Sequence, residues 1–260
     1  MPFTPTYDVP PDRRAYTLTA GKVGCLMLHG FMGSPKSSRP LAQYLHQRGV
    51  TVHCPLLPGH GHLPEKIHGF SQDHWLAEVE EALAHLRQLC DQVFITAHSM
   101  GTVLAAHLST LNHDLRGLIM LAPLYDVPDQ RIRYLRVLRY LMPWFYPMKH
   151  RRVDRQLIRE RVLDFDPTIN LGDPAVQQWL VKATRVPTAA IDEMRKMADF
   201  GRRLWPRLHL PVLIFQGGRD YAVFPADTQK LFDLLPGPDK ELQLIPEAGH
   251  ELMRPSDPVH

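Results

Sequence analysis

A serine that could act as a nucleophile stands in the run AHSMG, residues 97–101, where an apolar segment passes into one with helical spacing. A sharp turn from strand to helix would lift the Ser99 hydroxyl off the sheet, provided that the flanking residues are small. The run is the pattern G-x-S-x-G with Ala97 in place of the first glycine. Because alanine is the smallest substitute, we expect the turn to form. The alternative is a serine that caps a helix and takes no part in chemistry.

Two further side chains would complete the chemistry of a serine nucleophile. Asp220 ends the run GGRD after a later predicted strand, and His250 follows the last predicted strand in EAGHE. The order Ser, Asp, His, each at a strand end, is one of the known orders of a catalytic triad. Ser99 needs His250 to take its proton, and His250 needs Asp220 to fix its tautomer. Asp220 could instead be a turn residue and His250 a loop histidine, with Asp126 and Glu247 as other candidate acids.

Acyl transfer by a serine also needs donors for the negative charge that develops on a carbonyl oxygen. The glycine-rich run HGFMG, residues 29–33, follows the first strong strand and could supply the backbone N–H of Phe31. The N–H of Met100, directly after the serine, could supply a second donor. We therefore predict an oxyanion hole at Phe31 and Met100. The alternative is a glycine-rich turn without a catalytic role.

The segments that would position these residues alternate between strand and helix. Short apolar runs predict strands at Lys22–His29, Val50–Pro55, Gln92–His98, Leu115–Ala122, Pro211–Gln216 and Glu241–Ile245. Helical spacing predicts helices at Pro40–Arg48, Asp73–Leu89, Gly101–Thr110, Thr188–Leu204 and Ala226–Leu235. Alternation of this kind implies the α/β class, with a mostly parallel central sheet flanked by helices. Functional groups of such sheets gather at the carboxyl ends of the strands.

The alternation stops between Pro123 and about Val186, a stretch too long for a single crossover. We predict a core formed by residues 1–123 and 187–260 and an inserted helical cap, residues 124–186. Residues 124–185 hold 12 basic and 7 acidic residues, so the basic excess of the chain lies in the cap.

The cap mixes basic and aromatic residues between Gln130 and Arg155. One interpretation is a segment that makes weak contact with a lipid or anionic interface. The alternative is a lid that packs its apolar side over a pocket and exposes its arginines, which include Arg131, Arg133, Arg136 and Arg139.

Length and composition exclude several classes of protein. With 260 residues, 44% hydrophobic and 22% charged, the chain is typical of one soluble globular domain. A net charge of +3 is too weak to indicate a nucleic-acid partner. No apolar run reaches the roughly 18 residues of a membrane span, and the first residues lack an apolar signal core, so we expect a cytoplasmic protein. Cys25, Cys54 and Cys90 are too sparse for a disulfide framework, and we expect buried free thiols.

A metal site has little support in the sequence. His60 and His62 form the one suggestive pair, and two ligands without a nearby cysteine or carboxylate cluster make a weak site. We therefore expect no metal.

Taken in order, six runs of the chain resemble a known family. They are HGFMGSP, LLPGHGHLPE, DHWLAEVEEALAHL, AHSMG, GGRDYAVFP and the Gly-His pair near the end. They are similar to the α/β-hydrolase superfamily and, within it, to bacterial carboxylesterases and monoacylglycerol lipases, over about residues 22–253. The resemblance implies a cytosolic, cofactor-free serine hydrolase that acts on carboxylic esters under a helical cap. The chain departs from this family at Ala97 and in lacking a visible closing helix after His250.

The expected function is a carboxylesterase for small-molecule acyl esters of short to medium chain length, as a monomer or dimer. A monoacylglycerol lipase is the main alternative. Carbon–carbon bond hydrolysis and aminopeptidase activity on the same fold also stay open, since one sequence does not identify the pocket residues. A ligand receptor with an inactive triad is the fourth alternative.

Overall fold

The structure is a computed structural model that describes residues 8–127, 132, 134–149, 162–163 and 168–253. Its strands within these residues are β1 (Tyr16–Leu18), β2 (Val23–Leu28), β3 (Val50–Cys54), β4 (Gln92–His98), β5 (Leu118–Leu121), β6 (Trp144–Phe145), β7 (Val186–Pro187), β8 (Val212–Gly217) and β9 (Lys240–Ile245). Its α-helices there are α1 (Arg39–His46), α2 (Gln72–Leu89), α3 (Gly101–Leu111), α4 (Leu135–Leu138), α5 (Pro174–Ala183), α6 (Thr188–Leu204) and α7 (Pro225–Leu234).

A seven-stranded sheet in the order β1-β3-β2-β4-β5-β8-β9 forms the centre of the molecule. All neighbouring strands run parallel except β1, which pairs antiparallel with β3 at the edge. The predicted α/β class with a mostly parallel sheet is confirmed. Strand β1 has three residues, and so short a run gives no recognisable periodicity in the sequence.

Both faces of the central strands are buried. In β2, Leu26 and Leu28 join the large core cluster on one face, whereas Cys25 and Met27 join a smaller cluster on the other. Helices α2, α3 and α6 supply much of the large cluster, and α1 covers the small one. This packing explains why the strands appear as continuous apolar runs rather than alternating ones. The three cysteines are buried and free.

Helix α2 shows how local sequence sets an element. Ser71 and His74 form a capping box at its N-terminus, in which each side chain satisfies a free backbone donor of the other residue. The residues that face the core are Trp75, Val79, Ala82, Leu83 and Leu86, and all are buried. The helix was predicted from the spacing of three and four residues among Trp75, Leu76, Val79, Leu83 and Leu86, of which Leu76 is only partly buried.

The described part of the predicted cap holds α4, α5 and a short antiparallel ribbon of β6 and β7. The ribbon was absent from the helical prediction, because strands of two residues leave no pattern. Arg185 connects the ribbon to the core: its guanidinium donates to Glu65 at 3.0 and 2.7 Å and lies 4.3 Å from the centre of the Trp144 ring. The extent of the cap, residues 124–186, stays a prediction.

Two other sequence expectations concern the chain end and membranes. The expectation that no closing helix follows His250 concerns residues 254–260, which lie outside the described residues. On the last strand, Leu244 is 55% exposed, so the sheet presents an apolar side chain to solvent there. Among the helices of the described ranges, none combines the length and apolarity that crossing a membrane requires.

Candidate active site

Ser99 lies on a sharp turn between β4 and α3. Its φ of 52° is in the left-handed region, where a non-glycine residue is strained and is held only by its surroundings. The Ser99 amide donates to the carbonyl of Leu121 at 2.9 Å, and the amide of Thr102 donates back to the Ser99 carbonyl at 3.0 Å. The turn therefore forms with Ala97 in place of the first glycine.

The second glycine of the motif is required by close packing. A Cβ atom added to Gly101 would lie 2.6 Å from the Leu28 carbonyl oxygen and 2.7 Å from that of His29. Both are backbone atoms at the end of β2, so neither can move away cheaply. The same closeness brings the loop after β2 against the nucleophile, since a Cβ on Gly30 would lie 2.9 Å from the Ser99 Cβ.

The three predicted triad residues come together at the carboxyl ends of β4, β8 and β9. The Ser99 Oγ atom lies 3.1 Å from His250 Nε2, and His250 Nδ1 lies 2.8 Å from Asp220 Oδ2. These distances allow the Ser99 hydroxyl to donate to Nε2 while Nδ1–H donates to the carboxylate. The other candidate acids are engaged elsewhere: Asp126 pairs with Arg202, and Glu247 pairs with Arg219.

The surroundings of Asp220 keep it ionised. Burial raises the pKa of its carboxyl, but hydrogen bonds from His250 and from the amides of Val223 and Ala222 outweigh this effect, and the pKa lies below its usual value. A charged carboxylate is the form that can orient His250 and stabilise an imidazolium.

Gln216 and Thr228 support Asp220 and were missed in the sequence. The Gln216 amide donates to Asp220 Oδ2 at 3.2 Å and to the Val223 carbonyl at 3.2 Å. Thr228 donates its hydroxyl to the Gln216 side-chain oxygen at 2.6 Å. Both residues are buried. The available signal was a polar glutamine at the end of the otherwise apolar run VLIF, two residues before the GRD turn.

The loop that carries Phe31, residues 29–33, is fixed by His29. His29 Nδ1–H donates to the Gly30 carbonyl at 3.0 Å, and Nε2 accepts from the Leu57 amide at 3.2 Å. Burial and the neighbouring His60 lower the pKa of His29 to about 3, so the ring stays neutral and keeps both bonds. Within the described residues, the backbone N–H groups of Phe31 and Met100 donate no hydrogen bond.

His60 lies against this loop. Its ring centre is 6.0 Å from that of Phe31 and 5.6 Å from that of Trp75, and its Nδ1–H donates to the Pro58 carbonyl at 3.1 Å. These contacts make His60 a packing partner of the loop. The described residues contain no group of three or more potential metal ligands. The expected absence of a metal at His60 and His62 stays a prediction.

A parallel sheet with a serine on the turn after β4, and with an acid and a histidine after β8 and β9, is the arrangement of an α/β-hydrolase. The chain belongs to the family described as "Serine aminopeptidase, S33", whose profile matches residues 21–257. The predicted superfamily is thereby confirmed.

Individual relatives refine this family assignment. The chain is 29% identical over 244 residues to the thermostable monoacylglycerol lipase of Bacillus sp. (strain H-257). The aligned residues cover 94% of this chain and 89% of the relative. It is 24% identical over 251 residues to the carboxylesterase of Bacillus subtilis (strain 168), with 95% and 93% covered. These relatives confirm the predicted subgroup of esterase- and lipase-type hydrolases.

Solved structures share the fold. One, reported with the metagenome-derived lipolytic enzymes LipS and LipT, has a TM-score of 0.75 and 23% identity over 94% of this chain and 91% of that one. The monoacylglycerol lipase of Paleococcus ferrophilus has a TM-score of 0.70 and 17% identity, with 91% and 89% covered.

The packing at Gly101 yields a testable prediction. Gly101→Ala should lower the free energy of unfolding by about 1–3 kcal/mol and reduce ester hydrolysis, because the new methyl group displaces the turn that holds Ser99. Gly237→Ala is the matched control, since its Cβ would meet nothing closer than 3.7 Å. Urea unfolding measures both. Equal stability of the two variants would contradict the packing described at the turn.

Buried neutral histidines predict a loss of stability in acid. Burial lowers the pKa of His29 to about 3 and those of His60 and His98 to about 4. Between these values and about 6.5 the unfolded chain binds more protons than the folded one, so stability falls as the pH falls through this window. At pH 5 each histidine should account for a loss of about 2 kcal/mol relative to neutral pH.

The histidine contribution can be isolated by substitution. His60→Phe should reduce the difference in unfolding free energy between pH 7 and pH 5 by about 2 kcal/mol. His113→Gln, at an exposed position, should leave the difference as in the unmodified protein. If His60→Phe and His113→Gln gave the same pH dependence, protonation of buried His60 would not be a cause of the acid loss.

Proposed function

We propose that this hydrolase cleaves carboxylic esters through an acyl-enzyme intermediate formed on Ser99. The observation that carries the proposal is the line of two short contacts from Ser99 Oγ through His250 to Asp220. The Ser99 oxygen attacks the acyl carbon while His250 Nε2 takes the hydroxyl proton. The bond to the alcohol then breaks, and His250 returns that proton to the departing oxygen. Water repeats the sequence on the acyl-serine and releases the acid.

The oxyanion of the tetrahedral intermediate would accept hydrogen bonds from the N–H groups of Phe31 and Met100. Two features support this assignment. Met100 directly follows the nucleophile, and Gly30 places the loop of Phe31 against the Ser99 side chain. Loss of one such donor typically lowers turnover by a factor of about 100–1000. Asp220 stays a carboxylate throughout and stabilises the imidazolium form of His250.

The substrate class is a small-molecule acyl ester, and we propose acyl chains of short to medium length. A monoglyceride is the second candidate, and its support is the similarity to a monoacylglycerol lipase along nearly the whole chain. An aminopeptidase would need free carboxylates for the substrate amine. The carboxylates of Glu65 and Asp126 are instead paired with Arg185 and Arg202. The support for an ester over a peptide is the similarity to a monoacylglycerol lipase and to a carboxylesterase.

We also propose that residues 124–186 form a cap and that its exposed apolar face makes weak contact with lipid surfaces. The exposed side chains are Tyr134, Val137, Tyr140, Leu141 and Met142. Arg136 lies among them in α4 and is exposed. Arg139 differs from the expectation of a solvated arginine, since it pairs with buried Asp192 of α6 at 3.3 Å. Arg131 and Arg133 lie outside the described residues.

Acyl-chain preference separates the candidate functions. With p-nitrophenyl esters of about 2 to 16 acyl carbons, kcat/KM should peak at about 4–8 carbons, because each buried methylene adds about 0.8 kcal/mol of binding until the pocket ends. A peak at about 10–14 carbons would favour the lipid substrate. Faster turnover of amino-acid p-nitroanilides than of any ester would contradict ester hydrolysis.

Ser99→Ala should lower the ester rate at least about a thousandfold without unfolding the protein.

Vesicle binding tests the cap surface. Arg136→Gln should weaken partitioning onto phosphatidylglycerol vesicles by about fivefold and leave binding to phosphatidylcholine vesicles as it was, because one cation near an anionic surface contributes about 1 kcal/mol. Leu141→Ser should weaken binding to both. Leu111→Ser, at another exposed leucine, on α3, is the control. Co-sedimentation that is the same for all four proteins would exclude contact through this face.

A further inference from the structure

His98 is a buried histidine for which the reaction steps above have no use. It is the last residue of β4 and precedes the nucleophile directly. Only 6% of the residue is exposed, and its ring centre lies 4.8 Å from that of His250. His98 Nε2 lies 2.8 Å from the backbone carbonyl oxygen of His250. Because a carbonyl oxygen only accepts, Nε2 must carry the proton and donate.

The ionisation of His98 suits a permanent donor. Burial and the neighbouring His250 together lower its pKa to about 4, against the opposing effects of Glu251, of the hydrogen bond to the His250 carbonyl and of Asp220. The His98 ring therefore stays neutral at the pH values where a histidine base works. It keeps its proton on Nε2 and does not compete with His250 for the proton of Ser99.

The topology gives this one hydrogen bond a particular importance. Strands β4 and β9 are separated by β5 and β8, so their ends are about 14 Å apart in the sheet. The loop after β9, residues 246–252, is tied to the neighbouring β8 loop by the bond from the Arg219 amide to Ala248. The His250 carbonyl also accepts from Leu252 within its own loop. Neither contact reaches the turn that carries Ser99.

We propose that His98 is a positioning residue that ties the backbone of His250 to the turn of Ser99 and so sets the distance between base and nucleophile. This role rests on the proposed ester hydrolysis. Asp220 fixes the orientation of the His250 ring, and His98 fixes the position of the chain that bears the ring. A displacement of the base by about 1 Å can cost about a hundredfold in rate, so a hydrogen bond to the backbone of the base is a catalytic requirement.

A matched pair of variants separates the hydrogen bond from the bulk of the side chain. His98→Gln places an amide donor about where Nε2 lies, and His98→Met has nearly the same length without a donor. With a p-nitrophenyl ester, His98→Met should lower kcat by about 10–100-fold and change KM by less than about twofold. His98→Gln should stay within about threefold of the unmodified kcat. If His98 had a purely structural role, both variants would have a lower unfolding temperature, and His98→Met would not lower kcat selectively while KM stays nearly unchanged.

A second measurement does not depend on turnover. Amide hydrogen exchange of residues 248–252 should be faster in His98→Met than in the unmodified protein, and His98→Gln should restore slow exchange. Equal exchange in all three proteins, or an equal loss of kcat in both variants, would overturn the positioning role.

Covalent labelling distinguishes a failure of the positioning role of His98 from a failure of the proposed ester hydrolysis. A p-nitrophenyl alkylphosphonate should label Ser99 of the unmodified protein and react more slowly with His98→Met. No labelling of the unmodified protein at Ser99 would contradict the ester-hydrolase mechanism itself. Labelling of the unmodified protein and of His98→Met at one rate would leave that mechanism in place and reject the role of His98.

Discussion

The hydrogen bond between Ser99 and His250 joins two loops that the sheet keeps apart, and the remaining features of the site serve to maintain it. The strained turn at Ser99 exists because Gly101 lets α3 approach the end of β2. On the other side, Asp220 is held by two backbone amides and by Gln216, and it holds the His250 ring in turn. Each loop is held by its own hydrogen bonds, so the relative position of the two loops depends on the contacts that cross between them.

The site is built from buried polar groups, and this choice has an energetic consequence. His29, His60 and His98 are neutral inside the protein because burial disfavours their charged forms. Neutral rings with fixed tautomers are dependable donors and acceptors for the loops around Ser99. The same burial makes the fold sensitive to acid. Below about pH 6.5 these histidines bind protons in the unfolded chain but not in the folded one, so the free energy of unfolding falls as the pH falls. The buried histidines that order the loops near Ser99 therefore also lower the stability of the protein in acid.

The sequence was sufficient for six of the seven strands of the central sheet and for the candidate residues at their ends, because most buried parallel strands are continuous apolar runs and the AHSMG turn has strict steric needs. It was insufficient for β1, which has only three residues. It was insufficient for Gln216, Thr228 and His98, since one sequence does not distinguish a buried polar side chain from an exposed one. The β6–β7 ribbon was missed because it is too short for a periodic pattern. Of the segment from Gln130 to Arg155, the structure describes residues 132 and 134–149, and lipid contact, one of the two interpretations of this segment, stays a prediction.

The most direct test is a crystal structure of the protein after reaction with an alkylphosphonate, whose tetrahedral phosphorus resembles the intermediate of ester cleavage. We expect phosphorus bonded to Ser99 Oγ, with its free oxygen within about 3 Å of the backbone nitrogens of Phe31 and Met100. His250 Nε2 should face the Ser99 oxygen or the position of the leaving group. Attachment to any other residue, or an imidazole turned away from Ser99 in the labelled protein, would contradict the account.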